Sequence, residues 1–224
     1  MGDNRVRNAR TYQLMLFDLD GTLTDPKPGI TRAVRYALAR YDIAVADLDS
    51  LVPFIGPPLH QSFIRFYGFD DAQAREAVAF YREYFAEHGL YENAVYPGIP
   101  ELLARLQSRE RRLIVATSKP TVYARRIIEH FQLSAYFAQV VGSDLDLIRS
   151  DKALIIADVL SAYPDVAREA VVMVGDREHD IIGARSHHLD AIGVTYGYGA
   201  LAELQAAGAT SIAASVAELA DLLA

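Results

Sequence analysis

The chain of 224 residues is 51% hydrophobic, which suffices for one large domain, or for one domain with a small insertion. A net charge of −7 at pH 7 argues against a broad nucleic-acid-binding surface, and the absence of cysteine excludes both disulfides and thiolate zinc sites. No apolar run is long enough to span a bilayer, and the first ten residues contain arginines instead of the apolar centre of a secretory signal. We therefore expect a cytoplasmic protein that binds neither nucleic acid nor a membrane.

The first predicted element is a short buried strand that ends in an acidic turn. The apolar run Leu14–Phe17 predicts the strand, and Asp18, Asp20, Gly21 and Thr22 follow it. Alternate side chains of an extended chain point the same way, so the two carboxylates project together. They can coexist if one carries a proton or if a divalent cation lies between them. Either state suits a reaction in which one carboxylate attacks and the other transfers protons, although so short a motif is also typical of an ordinary acidic turn.

A helical segment without a convincing strand is predicted from about residue 26 to about residue 90. Apolar residues recur at helical spacing in three stretches, near residues 27–41, 59–67 and 71–85. The stretch 52–58, which contains prolines and a glycine, separates the first two helices, and Gly68 ends the second. The many aromatic side chains of the segment, Phe66 among them, are expected to pack in a core.

After residue 96 the pattern changes to short β-branched runs that alternate with helices, which is typical of a parallel sheet covered by helices on both faces. Strands are predicted at residues 113–116, 140–141, 171–174 and 191–194, and helices at residues 99–106, 120–131, 152–160, 178–187 and 216–223. The strand at residues 14–17 belongs to the same sheet, so the helical segment is an insertion. The chain is thereby divided into an α/β core domain (residues 1–24 and 93–224) and an inserted helical domain (residues 25–92).

Further polar clusters lie at the boundaries between predicted strands and helices. Thr117 and Ser118 follow a strand, where their hydroxyls could bind a phosphate or simply cap the next helix. Lys152 begins a helix, which is unfavourable for a cation unless anionic groups lie nearby, although a solvated lysine is an equal alternative. Asp176 and Asp180 follow a strand one helical turn apart, which suits either a hard cation or a helix cap with a first-turn acid. Because ligands of such sheets bind at the carboxyl ends of the strands, we expect these residues to lie together.

The order of these motifs resembles that of the haloacid dehalogenase superfamily, in the branch of phosphatases that carries a helical cap after the first strand. The motifs are residues 17–22, Thr117-Ser118, Lys152, and Gly175-Asp176 with Asp180, and the resemblance covers nearly the whole chain. Within the superfamily, residues 23–30 and 193–199 resemble the phosphoglycolate-phosphatase-like group, and also relatives described as 5′-nucleotidases. The resemblance implies an α/β fold with a Rossmann-like parallel core and a small helical cap.

The resemblance also implies a Mg²⁺-dependent hydrolysis of a small phosphate monoester through an aspartyl-phosphate. Asp18 would attack phosphorus, and Asp20 would protonate the leaving alcohol and then activate water. Mg²⁺ would be held by Asp18, the backbone carbonyl of Asp20 and Asp176, with Asp180 assisting directly or through water. A metal and a lysine are needed because a phosphate dianion cannot otherwise approach four carboxylates. The residues expected to bind the phosphoryl oxygens are Gly21, Thr22, Thr117, Ser118 and Lys152, of which Lys152 is also expected to be catalytic.

The helical segment is expected to close over the site and to contact the leaving group, with hinges near residues 24–26 and 91–98. The turn at residues 55–60, which includes His60, is the candidate for substrate contact. Arg65 is the candidate partner for a substrate carboxylate. The simpler alternative is that His60 and Arg65 lie on the surface of a helix.

Other activities fit these residues to different degrees. A dehalogenase has no need of Asp20, and a phosphonate hydrolase needs a Schiff-base lysine in the cap, where Lys27 occurs only at the edge. A sugar phosphomutase uses the same core and stays open, whereas a non-catalytic phosphate-binding regulatory module is disfavoured because every polar position is present. A dinucleotide site at Gly197-Tyr198-Gly199 lacks the required sequence context. The identity of the phosphorylated metabolite, and the choice between a monomer and a homodimer, are left open.

Overall fold

The computed structural model describes residues 11–145 and 151–224, so the expectation for the first ten residues lies outside the described part of the chain. In chain order the strands are β1 (Leu14–Phe17), β2 (Thr24–Asp25), β3 (Ala94–Val95), β4 (Arg112–Pro120), β5 (Gln139–Ser143), β6 (Val171–Gly175), β7 (Asp190–Val194) and β8 (Ser211–Ala213). Six of them form one parallel sheet in the order β5-β4-β1-β6-β7-β8.

The middle strand, β1, is buried over its whole length because helices cover both faces of the sheet. Met15 and Phe17 belong to the core on one face, whereas Leu14 and Leu16 belong to the core on the other. This alternation is the period of two that an extended chain imposes on its side chains. The predicted α/β fold, with a parallel sheet between two layers of helices, is confirmed.

Except for α8, the helices begin and end close to the predicted positions. They are α1 (Lys27–Ala39), α2 (Leu59–Tyr67), α3 (Asp71–Tyr84), α4 (Ile99–Ser108), α5 (Thr121–His130), α6 (Lys152–Ala162), α7 (Glu178–Ser186), α8 (Leu201–Ala207) and α9 (Val216–Leu222). Gly68 ends α2 with a left-handed φ of 67°, and the Asp70 carboxylate accepts a hydrogen bond from the Gln73 N–H at 2.8 Å to begin α3. Within the described residues, no helix is both long and apolar enough to cross a membrane.

The helical segment shares its core with one face of the sheet. Ile30, Phe63 and Val78 of the segment belong to the same buried cluster as Phe17. The expectation that the aromatic side chains pack in this core holds for most of them, but it is wrong for Phe66, which is 41% exposed. Phe66 follows Phe63 by nearly one turn of α2, and its ring centroid is 5.3 Å from that of the buried Phe54, so it packs at the exposed edge of the core.

Four of the short strands and helices were not predicted. β2 and β3 form an antiparallel pair on either side of the helical segment, and two residues per strand are too few to produce a recognisable periodicity. α8 and β8 lie in an alanine-rich stretch. Alanine marks neither the buried face of a helix nor a strand clearly, so these two elements could not be recognised from the pattern. The boundaries between the core and the helical segment, at residues 25 and 92, stay a prediction. β2 and β3 lie at or next to these two boundaries.

The register of the sheet brings the ends of three strands to one level. Phe17, the last residue of β1, pairs with Val115 of β4 and with Val174 of β6. The polar residues that follow these three positions therefore emerge at the same edge. β4 continues beyond its predicted end to Pro120, because its pairing with β5 resumes there after an irregularity.

Candidate active site at the carboxyl edge of the sheet

The acidic turn after β1 is tightly folded. The carbonyl oxygen of Leu19 accepts the N–H groups of Leu23 at 2.9 Å and Thr24 at 3.0 Å, and the two aspartates of the turn are 7% and 9% exposed. Gly21 has a left-handed φ of 85°, and a Cβ there would lie 2.2 Å from Asp176 Oδ2. Glycine is therefore required both for the turn and for the close approach of the carboxylate of Asp176.

Lys152 lies at the centre of the buried charges. Its Nζ is 2.7 Å from Asp18 Oδ1, 2.7 Å from Asp180 Oδ1 and 2.9 Å from the carbonyl oxygen of Ala116. Burial lowers the pKa of Lys152, but the carboxylates of Asp18 and Asp180 outweigh this effect and hold its pKa above its ordinary value. The unfavourable position of the lysine at the start of α6 is thus explained by the anions that it faces.

Three carboxylates form a buried group that could hold a metal ion. Oxygen atoms of Asp18, Asp176 and Asp180, here called the acidic triad, lie within 4.8 Å of one another. Asp176 Oδ2 accepts the N–H of Tyr198 at 2.8 Å, and Asp180 Oδ2 accepts the N–H of Arg177 at 3.1 Å. These backbone bonds fix the carboxylates in place.

The triad fits a hard divalent cation by its chemistry. Asp176 Oδ1 is buried, and it has no hydrogen-bond partner in the described part of the chain. Burial, reinforced by the neighbouring charges of Asp18 and Asp180, raises the pKa of Asp176 well above its ordinary value, and burial raises the pKa of Asp180 to about 6. The raised pKa values mean that the ionised carboxylates are not fully stabilised by their surroundings. Carboxylate oxygens are the ligands that Mg²⁺ and Ca²⁺ prefer, and such a cation would stabilise the ionised form.

Asp20 stands apart from the triad and pairs with a residue for which no role was predicted. Lys119 Nζ lies 2.5 Å from Asp20 Oδ2 and 4.5 Å from the ring centroid of Phe85, and its side chain is 7% exposed. Burial raises the pKa of Asp20, although Lys119 opposes the change. The scarcity of lysine and the position of Lys119 beside Thr117-Ser118 were the available signals, but the extension of β4 that directs its side chain into the site was not predictable from the sequence.

The expected phosphate-binding residues divide into two groups. Thr117 and Ser118 line the cavity beside Lys152, and Thr117 Oγ1 accepts the N–H of Lys119 at 3.3 Å. Gly21 and Thr22 are not among the residues that line this cavity, and Thr22 is completely buried while its carbonyl oxygen accepts the hydroxyl of Tyr196 at 3.0 Å. The phosphate-binding roles of both groups stay predictions.

The stretch Gly197-Tyr198-Gly199 packs directly on the acidic turn and the triad. A Cβ at Gly197 would lie 2.2 Å from the carbonyl oxygen of Gly21, and one at Gly199 would lie 1.8 Å from that of Asp176. The hydroxyl of Tyr198 donates to Asp25 Oδ1. The glycines that prompted a dinucleotide interpretation therefore serve close backbone packing.

A cavity of about 90 Å³ lies between the edge of the sheet and the helical segment. The segment contributes mainly aromatic and apolar walls, from Phe54, residues 56–59, Tyr81, Arg82 and Phe85. The expectation that His60 and Arg65 contact the substrate is not met by this geometry, since neither lines the cavity. His60 Nε2 lies 3.1 Å from Asp71 Oδ1, and the guanidinium of Arg65 lies over the ring of Phe66 on the exposed face of α2.

The fold and the site define the class as a hydrolase of phosphate esters that is built on a parallel sheet, with paired aspartates directly after the first strand. The family model described as haloacid dehalogenase-like hydrolase matches residues 15–194, and the chain belongs to that family. It is a phosphoric monoester hydrolase, and its relatives include 5′-nucleotidase and phosphoglycolate phosphatases. The predicted membership of the superfamily is thus confirmed.

Particular relatives differ in the activity that their names state. A 5′-nucleotidase from Pseudomonas aeruginosa is 50% identical over 96% of this chain and 97% of its own. The tyrosine-protein kinase PtkA from Mycobacterium tuberculosis is 38% identical over 94% of this chain and 72% of its own. The crystal structure of a predicted phosphatase from Clostridium acetobutylicum superposes with a TM-score of 0.90 at 48% identity, over 94% of this chain and 97% of that one.

Proposed function

We propose that the protein hydrolyses a small phosphate monoester with the aid of Mg²⁺, through a phosphoryl group carried by Asp18. The observation that carries this proposal is the buried contact of Lys152 with both Asp18 and Asp180 inside the acidic triad. A lysine and a cation together would balance the charge of a phosphate dianion next to three carboxylates. Mg²⁺ held by the carboxylates of Asp18, Asp176 and Asp180 and by the backbone carbonyl of Asp20 would supply the Lewis acidity that polarises a phosphoryl oxygen.

In the first half of the reaction, a carboxylate oxygen of Asp18 forms a bond to phosphorus while the bond from phosphorus to the alcohol oxygen breaks. Asp20 supplies the proton that the departing alkoxide needs, and its raised pKa favours the protonated form required for this step. Lys152 and the hydroxyls of Thr117 and Ser118 hold the phosphoryl oxygens. Burial of the site excludes water until the alcohol has left.

In the second half, Asp20, now ionised, removes a proton from a water molecule whose oxygen attacks phosphorus. The bond between phosphorus and the Asp18 oxygen breaks, which releases inorganic phosphate and restores the Asp18 carboxylate. Asp20 regains its proton, so the pair returns to its starting state. Phosphate monoesters are among the slowest substrates to hydrolyse unaided, with enzymatic accelerations of up to ~10²¹, so both precise positioning and charge balance are needed.

A leaving group of the size of glycolate suits the cavity best. Its volume of about 90 Å³ is well below the roughly 300–1,000 Å³ that is usual for sites of larger ligands. The cations that face the leaving-group side, Lys119 and Arg82, also suit an alcohol that bears a carboxylate. This supports a phosphoglycolate-phosphatase-like activity on a small phosphorylated metabolite.

A 5′-nucleotide is the second candidate, because a relative of that name is 50% identical to this chain. The aromatic walls from Phe54, Tyr81 and Phe85 could stack on a base if the helical segment moved away from the sheet. A sugar phosphate transferred within a mutase cycle would use the same phosphorylated Asp18. We further propose that the enzyme works in the cytoplasm as a monomer or homodimer, with neither nucleic acid nor a membrane as partner.

The test is a panel of phosphate esters assayed as kcat/KM with MgCl₂ and with a chelator. Phosphoglycolate, 5′-nucleotides and hexose phosphates represent the three candidates, and mutase activity is followed with a sugar bisphosphate primer. We expect Mg²⁺-dependent release of phosphate, with phosphoglycolate the best substrate. Preference for a nucleotide would replace phosphoglycolate by the second candidate, and failure of every ester would leave only a non-catalytic phosphate-binding module.

A further inference from the structure

Arg177, to which the sequence assigned no role, contacts three parts of the molecule at once. Its backbone N–H donates to Asp180 Oδ2 at 3.1 Å, and its Nε donates to Glu203 Oε1 at 2.8 Å. Its Nη1 donates to the carbonyl oxygen of Ile55 at 2.6 Å. One residue therefore connects the junction of β6 and α7, which carries Asp176 and Asp180, to the helical segment on the opposite side of the cavity.

The part of the segment that Arg177 contacts is a stiff turn at residues 55–59, here called the cap turn. Gly56 has a left-handed φ of 103°, and Pro57 and Pro58 restrict the chain after it. A Cβ at Gly56 would lie 2.9 Å from Arg177 Nη1, so the absence of a side chain lets the guanidinium approach. Residues 56–59 and Arg177 all line the cavity, so the guanidinium contacts a part of the cavity wall.

Glu203 holds the guanidinium in the position that this contact requires. Glu203 Oε1 accepts both the Nε of Arg177 and, at 2.9 Å, the N–H of Glu178 at the start of α7. The side chains of Arg177 and Glu203 are 18% and 23% exposed, so the pair is largely shielded from solvent. The planar fork of arginine can donate to a carboxylate and to a carbonyl in fixed directions, which the single ammonium of lysine cannot do.

We propose that Arg177 is a positioning residue that couples the closed position of the cap turn to the geometry of the acidic triad. The inference rests on the proposed function, because it supposes that the triad binds Mg²⁺. Coupling between two sites is reciprocal, so metal binding at the triad stabilises the cap turn against opening, and closure of the turn strengthens metal binding by the same factor. The cavity is then closed most firmly when the triad is ready for a phosphate.

The test follows backbone hydrogen exchange of the peptide spanning residues 55–62 in the full chain, with and without MgCl₂, together with calorimetric titration of Mg²⁺. In the wild type, Mg²⁺ slows exchange of the cap turn. In Arg177→Met, exchange in Mg²⁺ is faster by about tenfold, the size expected for loss of one charge-assisted hydrogen bond, and Mg²⁺ no longer slows it. The affinity for Mg²⁺ falls by a similar factor, which a purely structural role of Arg177 would not produce.

Arg185→Met is the matched control. Arg185 lies on α7, and its Nη1 donates to the carbonyl oxygen of Gly208 at 3.2 Å, away from the cavity. We expect this variant to behave as the wild type in both measurements. If Arg177→Met does not fold, Arg177→Lys takes its place, because it keeps the positive charge. This variant should also lose the response of the cap turn to Mg²⁺.

Three results would overturn the coupling, and they can be told apart. If wild-type protein binds Mg²⁺ but the exchange of the cap turn does not change, or if the Arg177 variants match Arg185→Met, the coupling is wrong while the proposed function stands. If the wild type does not bind Mg²⁺ at all, the proposed metal-dependent function is wrong and the coupling falls with it.

Discussion

The two sides of the cavity are built in different ways. On the sheet side, Asp18, Asp180 and Lys152 are buried charges that contact one another directly. On the side of the helical segment, the walls are mainly aromatic rings and prolines, and the Arg82 guanidinium donates to a backbone carbonyl, that of Leu145. From this difference we expect the sheet to fix the reacting groups, and the helical segment to select the leaving group by the shape of its walls and by the charge of Arg82.

The strictest way to break this comparison is to remove the nucleophile. Asp18→Asn should lower kcat by at least about 10⁴-fold, because the amide cannot form the phosphorylated carboxylate. Release of phosphate under saturating substrate measures the effect. Asp165→Asn, at an exposed aspartate, is the control that should keep the wild-type rate. A variant at position 18 with a near-normal rate would show that the reacting groups are not those of the sheet edge.

A second substitution tests the charge balance on the sheet side. Lys152→Met should reduce the free energy of unfolding by about 3–5 kcal/mol, because Asp18 and Asp180 would be left as buried charges without a partner. Urea denaturation in the presence of a chelator gives the value. Lys27→Met removes a lysine that pairs with Asp49 at the surface, and it should have no measurable effect on stability. Equal behaviour of the two variants would contradict the central place of Lys152.

Lys119 offers a test of the boundary between the two sides, since it contacts both Asp20 and Phe85. Lys119→Met should lower kcat about tenfold, because Asp20 loses the contact that orients it for proton transfer. Lys119 lowers the pKa of Asp20, so its removal raises that pKa. Since the first step needs protonated Asp20, the alkaline limb of the kcat/KM profile should move to higher pH. Lys119→Arg should keep the limb in place, and a shift to lower pH would refute the assignment.

The acidic triad predicts how stability depends on pH and on metal. The pKa of Asp180 is raised by burial to about 6, above that of an aspartate in an unfolded chain, so the folded state binds more protons. Without metal, this contribution to stability is present at low pH and is lost as the pH rises through about 6.

Metal binding needs the ionised carboxylates. The rise in Tm on addition of MgCl₂ should therefore be small at about pH 5 and larger at about pH 7.5. Thermal unfolding with MgCl₂ and with a chelator measures this difference. Asp180→Asn, which cannot ionise, should weaken the dependence on pH. An equal rise in Tm at both pH values would argue against the triad as the metal site.

The smallest effect is expected on the outer face of the helical segment. Arg65→Ala should change kcat/KM by less than about twofold, because Arg65 lies outside the cavity and its guanidinium rests on the exposed ring of Phe66. Arg82→Ala, which removes a cation from the cavity wall, is the matched comparison and should raise KM for an anionic substrate. Steady-state kinetics on phosphoglycolate separates the two variants, and a large loss at Arg65 would reinstate it as a substrate contact.

The sequence predicted the sheet side better than the other side for a physical reason. Parallel strands end at one edge, so the chain positions of Asp18, Lys152, Asp176 and Asp180 were enough to expect that they meet. Lys119 escaped prediction because its direction depends on an irregularity in the pairing of β4 with β5.

The helical segment was harder to interpret because periodicity identifies a helix but not the partner of each face. Phe66 was placed in the core and Arg65 at the substrate, yet both lie on the exposed face of α2. The contact from Arg177 to the carbonyl oxygen of Ile55 joins residues that are far apart in the chain. It could not be predicted, because every residue has a backbone carbonyl and the sequence does not indicate which one accepts.

β2 and β3 bring the two ends of the helical segment together. Thr24 pairs with Val95 and Asp25 with Ala94, and the N–H of Tyr96 donates to the carbonyl oxygen of Leu23 at 3.1 Å. The chain thus enters the helical segment and leaves it at one point, across the spacing of about 5 Å between neighbouring strands. Another insert with adjacent termini could be grafted at this junction without displacing β1 or β4, so substrate choice can diversify while the catalytic edge is inherited unchanged.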